Sequence, residues 1–231
     1  MRMRKKPNLD KRMEACAQYW VRDPEAKKGA WRQLYPEARE LRVEIGCGKG
    51  KFTAETAAAE PDILLIAIER VQEAMVVAME KARDMDLHNV FFIDMDVAEI
   101  ESCFAPGEID LMYVNFCDPW PRKKNAKRRL TFRTFLEKYR KVVKPGGELH
   151  FKTDNAPLFE FSLEEFAYCG LQTKNVTRNL HENGPVGIMT GYEEKFYALG
   201  TPINRCEVIL EPRPAEASEN IQGNPEISQS C

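Results

Sequence analysis

LRVEIGCGKG, residues 41–50, reads as a short apolar strand running into a glycine turn. Glycines at 46, 48 and 50 allow tight turning and let the backbone come close to a ligand. KFTAETAAAE follows at once with helical character, so the unit is strand, glycine loop, helix. The dinucleotide spacing GxGxxG would require its third glycine at 51, where Lys51 stands, and the pyrophosphate-loop match fails by one position. Glu44 precedes the glycines and would repel a phosphate, which favours a cationic ligand instead.

Outward from this unit the pattern repeats. ILLIAIE (63–69) is a continuous apolar run of strand length, as expected where both faces of a strand are covered. VQEAMVVAMEKARDM has helical spacing and NVFFID (89–94) is a third strand. A short helical piece spans about 97–104, and IDLMYVNF (109–116) is a fourth strand. TFRTFLEKYRKVV (131–143) is a helix stopped by KPGG, ELHFKTD (148–154) a fifth strand, and APLFEFSLEEFAYCG a helix closed by Gly170. Strands alternating with helices predict an α/β fold, Rossmann-like and doubly wound about a mainly parallel sheet.

Three acids fall at successive strand ends: Glu44 on the first strand, Glu69 closing the second, and Asp96 after the third. In a doubly wound fold an acid at the end of the second strand accepts hydrogen bonds from ribose hydroxyls, and the position after the third lies where an adenine would sit. Each acid alone could equally cap a helix. Their recurrence at one rim of the sheet favours a nucleotide-like pocket.

The fourth strand runs into NFCDPWPRKKNAKRR, residues 115–129. Asp118 ends the strand, Pro119 and Pro121 stiffen the backbone around Trp120, and six of the eight residues from Arg122 to Arg129 are cationic. A basic run is usually a solvated face. Beside a carboxylate at the rim of a pocket it reads instead as a device that brings a polyanion to that acid. The formal net charge of the 231-residue chain is only -2, so polyanion binding must come from local patches. A second such patch is MRMRKKPNLDKR at the N-terminus, with six cations against one acid, either an RNA contact or a flexible solubilising end.

With these residues in place, the chain resembles the bacterial tRNA (guanine-N7-)-methyltransferase family over about residues 40–210. NFCDPWPRKKNAKRRLT is similar to that family's DPWP segment and following basic run, supported by HFKTDN (150–155) and IMTGYEEKF (188–196). The resemblance implies a class I methyltransferase fold and S-adenosylmethionine as cofactor, whose amino acid end and sulfonium are cationic. It implies tRNA as partner, with a variable-loop guanine as target. It assigns Glu44, Gly46, Gly48, Glu69, Asp96 and Asp118 to the methyl donor and makes Asp118 the catalytic residue. Arg122, Asp154, Thr190, Gly191, Tyr192 and Glu193 become substrate contacts, and Lys124, Asn125, Ala126, Lys127, Arg128 and Arg129 an RNA-interaction segment. Two departures bear on RNA contact: Asn125 stands where a histidine is common, and Gly191 where a charged or larger residue is common.

Guanine N7 has an in-plane lone pair and no proton, so its methylation needs alignment rather than a strong base. The purine gains positive charge during transfer, which a carboxylate beside its imidazole edge would stabilise. Asp118 suits that role, or that of an acceptor for the guanine amide edge. Trp120 has two readings, a stacking platform for the base and a hydrophobic anchor for the loop. Taken without the resemblance, TGYEEKF reads as a structural loop before a strand.

The rival readings are another base methyltransferase acting on an exocyclic amino group, a non-catalytic RNA-binding module on the same fold, and a nicotinamide-dependent oxidoreductase. NFCDPW lacks the second proline of the [D/N]PP[Y/F/W] motif, the acids of the donor pocket are intact, and GxGxxG fails. The seven cysteines and three histidines show no metal-ligand spacing, so no metal is expected; reduced thiols fit a cytoplasmic protein. Cys47 and Cys117 flank key motifs without a histidine partner, which argues against a catalytic thiol. No apolar run reaches the ~20 residues of a membrane span. The expected organisation is a basic arm and helical lead-in (1–40), a methyltransferase domain (41–210) and a disordered polar tail (211–231), acting as a monomer or homodimer.

Overall fold

The computed structural model describes residues 7–212; most of the basic arm's charge and nearly all of the tail lie outside the described residues. The glycine unit folds as read. Strand β1 (Glu40–Ile45) leads through the turn into a helix at Lys51–Ala59, which follows the short lead-in helix α1 (Leu9–Glu14) and is therefore α2. β2 (Ile63–Ile68), α3 (Gln72–Asp84), β3 (Val90–Ile93), α4 (Ile100–Cys103), β4 (Ile109–Asn115), α5 (Arg133–Val142), β5 (Val143–Thr153) and α6 (Ala156–Tyr168) continue the alternation. β6 (Gln172–Thr177), α7 (Gly191–Ala198) and β7 (Asn204–Leu210) complete the chain.

The seven strands form one sheet in the order β3-β2-β1-β4-β5-β7-β6, with β7 antiparallel to both of its neighbours and the first five strands parallel. The chain leaves β1 toward β2 on one side and returns to β4 on the other. The crevice between the carboxyl ends of β1 and β4 is therefore the topological switch point, where such sheets bind ligands.

β2 shows why the sheet is covered on both faces. Ile63, Leu65 and Ala67 join one apolar cluster with Phe52 of α2 and Met75 and Met79 of α3. Leu64, Ile66 and Ile68 join the other, with Leu136 and Tyr139 of α5 and Phe159 and Phe166 of α6. All six β2 residues are at most 2% exposed, and each buried Leu or Ile contributes ~1.5–3 kcal/mol. The lead-in packs down as well: Trp31 stacks on Phe104, its ring centroid 5.1 Å away, and its indole N–H donates to the Cys103 carbonyl.

Two expectations are corrected. TGYEEKF is not a loop before a strand; it forms α7, begun by a capping box in which Thr190 Oγ1 accepts from the Glu193 N–H and the Glu193 carboxylate accepts from the Thr190 N–H. The fifth strand also starts earlier than ELHFKTD, at Val143, directly from α5. Lys144–Gly147 passes through a register shift against β4, and a Cβ on Gly147 would lie 2.8 Å from the Asp110 carbonyl oxygen.

Candidate active site at the switch point

A cavity of about 640 Å³ opens at the switch point, lined among others by Gly46, Glu69, Asp96, Asn115, Asp118, Trp120, Lys127 and Arg128. On the β1 side the glycine loop is pinned by backbone hydrogen bonds from Gly46 and Cys47 N–H to the Ile68 carbonyl. Gly46 and Gly48 have φ of 77° and 57°, and nothing lies within 4 Å of where a Cβ would stand on either. At Gly50, by contrast, a Cβ would meet Ala78 Cβ at 2.4 Å. The third glycine thus serves close packing of α2 on α3, one position before the dinucleotide spacing would put it.

Two of the acids at the strand ends hold local backbone N–H groups while lining the cavity. Glu69 Oε2 accepts from the Gly48 N–H at 2.9 Å and Oε1 from the Val71 N–H at 2.8 Å, so it ties the glycine loop to the start of α3. Asp96 Oδ1 accepts from the Ala98 N–H, and Oδ2 pairs with Arg70 at 3.1 Å. Both acids still line the cavity, and each carboxylate keeps further lone pairs for a ligand.

Glu44 departs from expectation. It is 1% exposed and lies behind the cavity wall, accepting from the Thr53 hydroxyl and from Asn115 Nδ2 at 3.3 Å. Burial pushes its carboxyl up to about 7, against the hydrogen bonds from Thr53 and Asn115 and the charge of Lys152. Asn115, a residue the sequence reading passed over, lines the cavity in its place. Its Oδ1 is buried without a partner among the described residues. An unobstructed glycine backbone, an orphaned acceptor and two rim carboxylates together fit a cationic ligand bearing N–H and hydroxyl donors.

Asp118 is exposed at the cavity mouth, and no hydrogen bond to its carboxylate is present among the described residues. Its loop is strained on both sides, with Phe116 at φ 52° and Trp120 at φ 41°, values costly for bulky side chains and frequent at functional sites. The Phe116 N–H donates to the Lys152 carbonyl, and Arg129 holds the other end through the Pro119 and Trp120 carbonyls at 2.9 and 3.1 Å. Arg129 also lies 4.1 Å over the Phe161 ring. Arg129 is therefore a clamp on this loop, a role the sequence did not suggest. The remaining cations Arg122, Lys123, Lys124, Lys127 and Arg128 are exposed on and beside a 3-10 turn at Lys123–Arg128. Among the described residues none of them makes an ion pair. Arg128 sits 4.9 Å over the Trp120 ring, so one face of that indole is already covered. Burial raises the Cys117 thiol to about 12, which leaves it inert beside Asp118.

Of the other expected substrate contacts, Asp154 is half-buried after β5, and Tyr192 is exposed with its ring 5.2 Å from Phe116. Burial, and then the Asp154 charge, raise the Tyr192 phenol above its ordinary range. Gly191 stands near the Lys51 side chain. Glu193 is 0% exposed, so the expectation of a carboxylate free to bind a guanine edge is not met. Away from the site, Glu148, His150 and Glu207 could together hold a metal, but Lys174, Asn175 and Arg205 already occupy the two carboxylates.

Over 218 residues the chain is 44% identical to the tRNA (guanine-N(7)-)-methyltransferase of Geobacillus sp. (strain WCH70), covering 94% of this chain and 99% of that protein. It belongs to that methyltransferase family. The enzyme of the same name from Bacillus subtilis (strain 168) is 43% identical over 209 residues, 90% of this chain and 98% of its own length. The family model described as putative methyltransferase matches residues 38–206. Among solved structures, the 16S rRNA methyltransferase KamB is similar with a TM-score of 0.63 at 13% identity, over 80% of this chain and 94% of that one. That last likeness shows the class I methyltransferase fold alone. The family membership covers the glycine loop, the DPWP segment and the basic turn of this methyltransferase, all inside the matched residues.

Proposed function

We propose that the protein transfers the methyl group of S-adenosylmethionine to N7 of a guanine in tRNA, acting in the cytoplasm on a variable-loop guanine. The observation that carries this reading is that one cavity is lined by Glu69 and Asp96 together with Asp118, Lys127 and Arg128. On this reading, acids suited to a cationic nucleoside and cations suited to a polyanion share one cavity with Asp118.

Glu69 and Asp96 would hold the nucleoside part of the donor, with Gly46 and Gly48 giving the backbone room to approach it. When bound, the donor supplies an electrophilic methyl carbon on a sulfonium. The N7 lone pair forms the new N–C bond as the S–C bond breaks, and no proton leaves the base. The protein's task is therefore alignment and charge control. Arg122, Lys124, Lys127 and Arg128 would grip the RNA backbone and fix its orientation more than its sequence. Asp118 would face the purine as it becomes cationic. Tyr192, whose ring meets Phe116, and Asp154, whose charge it feels, would border the same base.

Incubation with labelled S-adenosylmethionine and tRNA lacking the modification, followed by nucleoside analysis, tests the reading. Label in 7-methylguanosine supports it. Label in an N6-methyladenine or N4-methylcytosine nucleoside would overturn the target atom, and transfer to no tRNA nucleoside would overturn the substrate.

A further inference from the structure

Three buried polar side chains lie behind Phe116 and take no part in the chemistry above. Lys152 on β5 donates to Glu193 Oε2 at 2.6 Å and to the Ile188 carbonyl at 3.2 Å. Glu193 Oε1 pairs with His181 Nε2 at 3.0 Å, while Oε2 also accepts from the Thr190 N–H at 3.1 Å. His181 Nδ1 accepts from the Val186 N–H at 3.2 Å, so the ring's other nitrogen carries the proton it gives to Glu193. The three side chains are 9%, 0% and 3% exposed.

Through this cluster the irregular segment 181–190 is fastened at Val186, Ile188 and Thr190 to a single point on β5. The same Lys152 accepts, through its backbone carbonyl, from the N–H of strained Phe116. One residue therefore fixes both the loop carrying Asp118 and the first turn of α7 carrying Tyr192. Phe116 and Tyr192 meet at 5.2 Å, and Tyr192 stacks on Phe196 with centroids 4.4 Å apart. A second tether runs along the surface, from Lys51 at the end of the glycine loop to Glu194 at 3.0 Å. The pair in the interior differs in kind. A buried charge that loses its partner is strongly destabilising, whereas replacing both charges with apolar groups is tolerated.

We propose that Lys152 and His181 are positioning residues for the acceptor side of the site, holding Glu193 as a strut so that Tyr192 stands beside the Asp118 loop. The catalytic consequence rests on the tRNA methylation reading; the mechanical one does not. Hydrogen exchange of the 186–193 amides reads the strut directly, and steady-state kinetics with tRNA reads its effect on the site.

Lys152→Met should raise exchange in that segment and increase KM for tRNA, each about tenfold or more, with the dissociation constant of S-adenosylmethionine within about threefold of wild type. His181→Leu should do the same more weakly, and His181→Gln, which keeps an N–H for Glu193, should restore protection. The triple variant Lys152→Met/His181→Leu/Glu193→Leu, which leaves none of the three side chains buried without its partner, should regain protection and much of the lost KM. Wild-type exchange and KM in both Lys152→Met and His181→Leu would overturn the proposal. So would a protected triple variant with the activity loss of Glu193→Leu alone, because Glu193 would then touch substrate. Absence of tRNA methylation by the wild-type protein would remove the functional reading while leaving the exchange result to stand or fall by itself.

Discussion

In the proposed reaction the chemistry turns on Asp118. It sits between two backbone positions of positive φ, its carboxylate unengaged, at the mouth of a cavity whose other acids already hold protein N–H groups. That division of labour separates the carboxylates that shape the pocket from the one left for a reacting base. Asp118→Asn keeps the size and removes the charge, so it should lower kcat by about 10²–10³-fold if the carboxylate stabilises the cationic purine. Thermal unfolding should be unchanged, since the side chain packs against little. Single-turnover methyl transfer and a melting curve on the same preparation would check this; wild-type kcat in Asp118→Asn would take the charge out of the mechanism. At this scale the placement of acids at strand ends was legible in the sequence, and Glu69, Asp96 and Asp118 do line the cavity. Burial of Glu44 was not legible: its side chain turns inward to Thr53, while Asn115 lines the cavity.

Among the elements, the basic turn would do two separable jobs in the proposed function. Lys124 and Lys127 are exposed and unpaired among the described residues, whereas Arg129 ties down two carbonyls of the DPWP loop and lies over Phe161. Lys124→Ala or Lys127→Ala should leave unfolding within about 0.5 kcal/mol of wild type and reduce the salt slope of tRNA binding by about 1. Arg129→Ala should instead destabilise by about 1–3 kcal/mol through the freed carbonyls. Unfolding curves set beside affinities measured across salt concentrations would distinguish the two, and an Arg129→Ala variant as stable as wild type would contradict the clamp. The elements that sequence reading recovered share a strong apolar signal, as in ILLIAI of β2. β6 was not recovered because its edge position leaves QTKNVT exposed and polar, without a buried face to impose a pattern. α7 was missed for a related reason, its helical period being weak, although T-x-x-E at Thr190–Glu193 is a capping signature that marks a helix start.

For the molecule as a whole, topology explains why the cavity and the basic run share one rim. Parallel strands deliver all their carboxyl ends to the same side, and reversal of strand order between β1 and β4 opens the crevice there. The strand that borders the crevice, β4, continues directly into Asp118 and the basic turn. No helix among the described residues is long and apolar enough to cross a membrane. The alternation of strands and helices made this architecture legible from sequence, while the buried Lys152–Glu193–His181 strut was not, because its members lie on a strand, a helix and a loop 29 to 41 positions apart or only 12 apart with no shared period. The central claim is that guanine N7 is the atom methylated. The most direct measurement is transfer from labelled S-adenosylmethionine to tRNA carrying 7-deazaguanosine in place of guanosine, in parallel with unsubstituted tRNA. The account expects label only in the unsubstituted RNA, with similar binding of both; equal incorporation into the 7-deaza tRNA would contradict it.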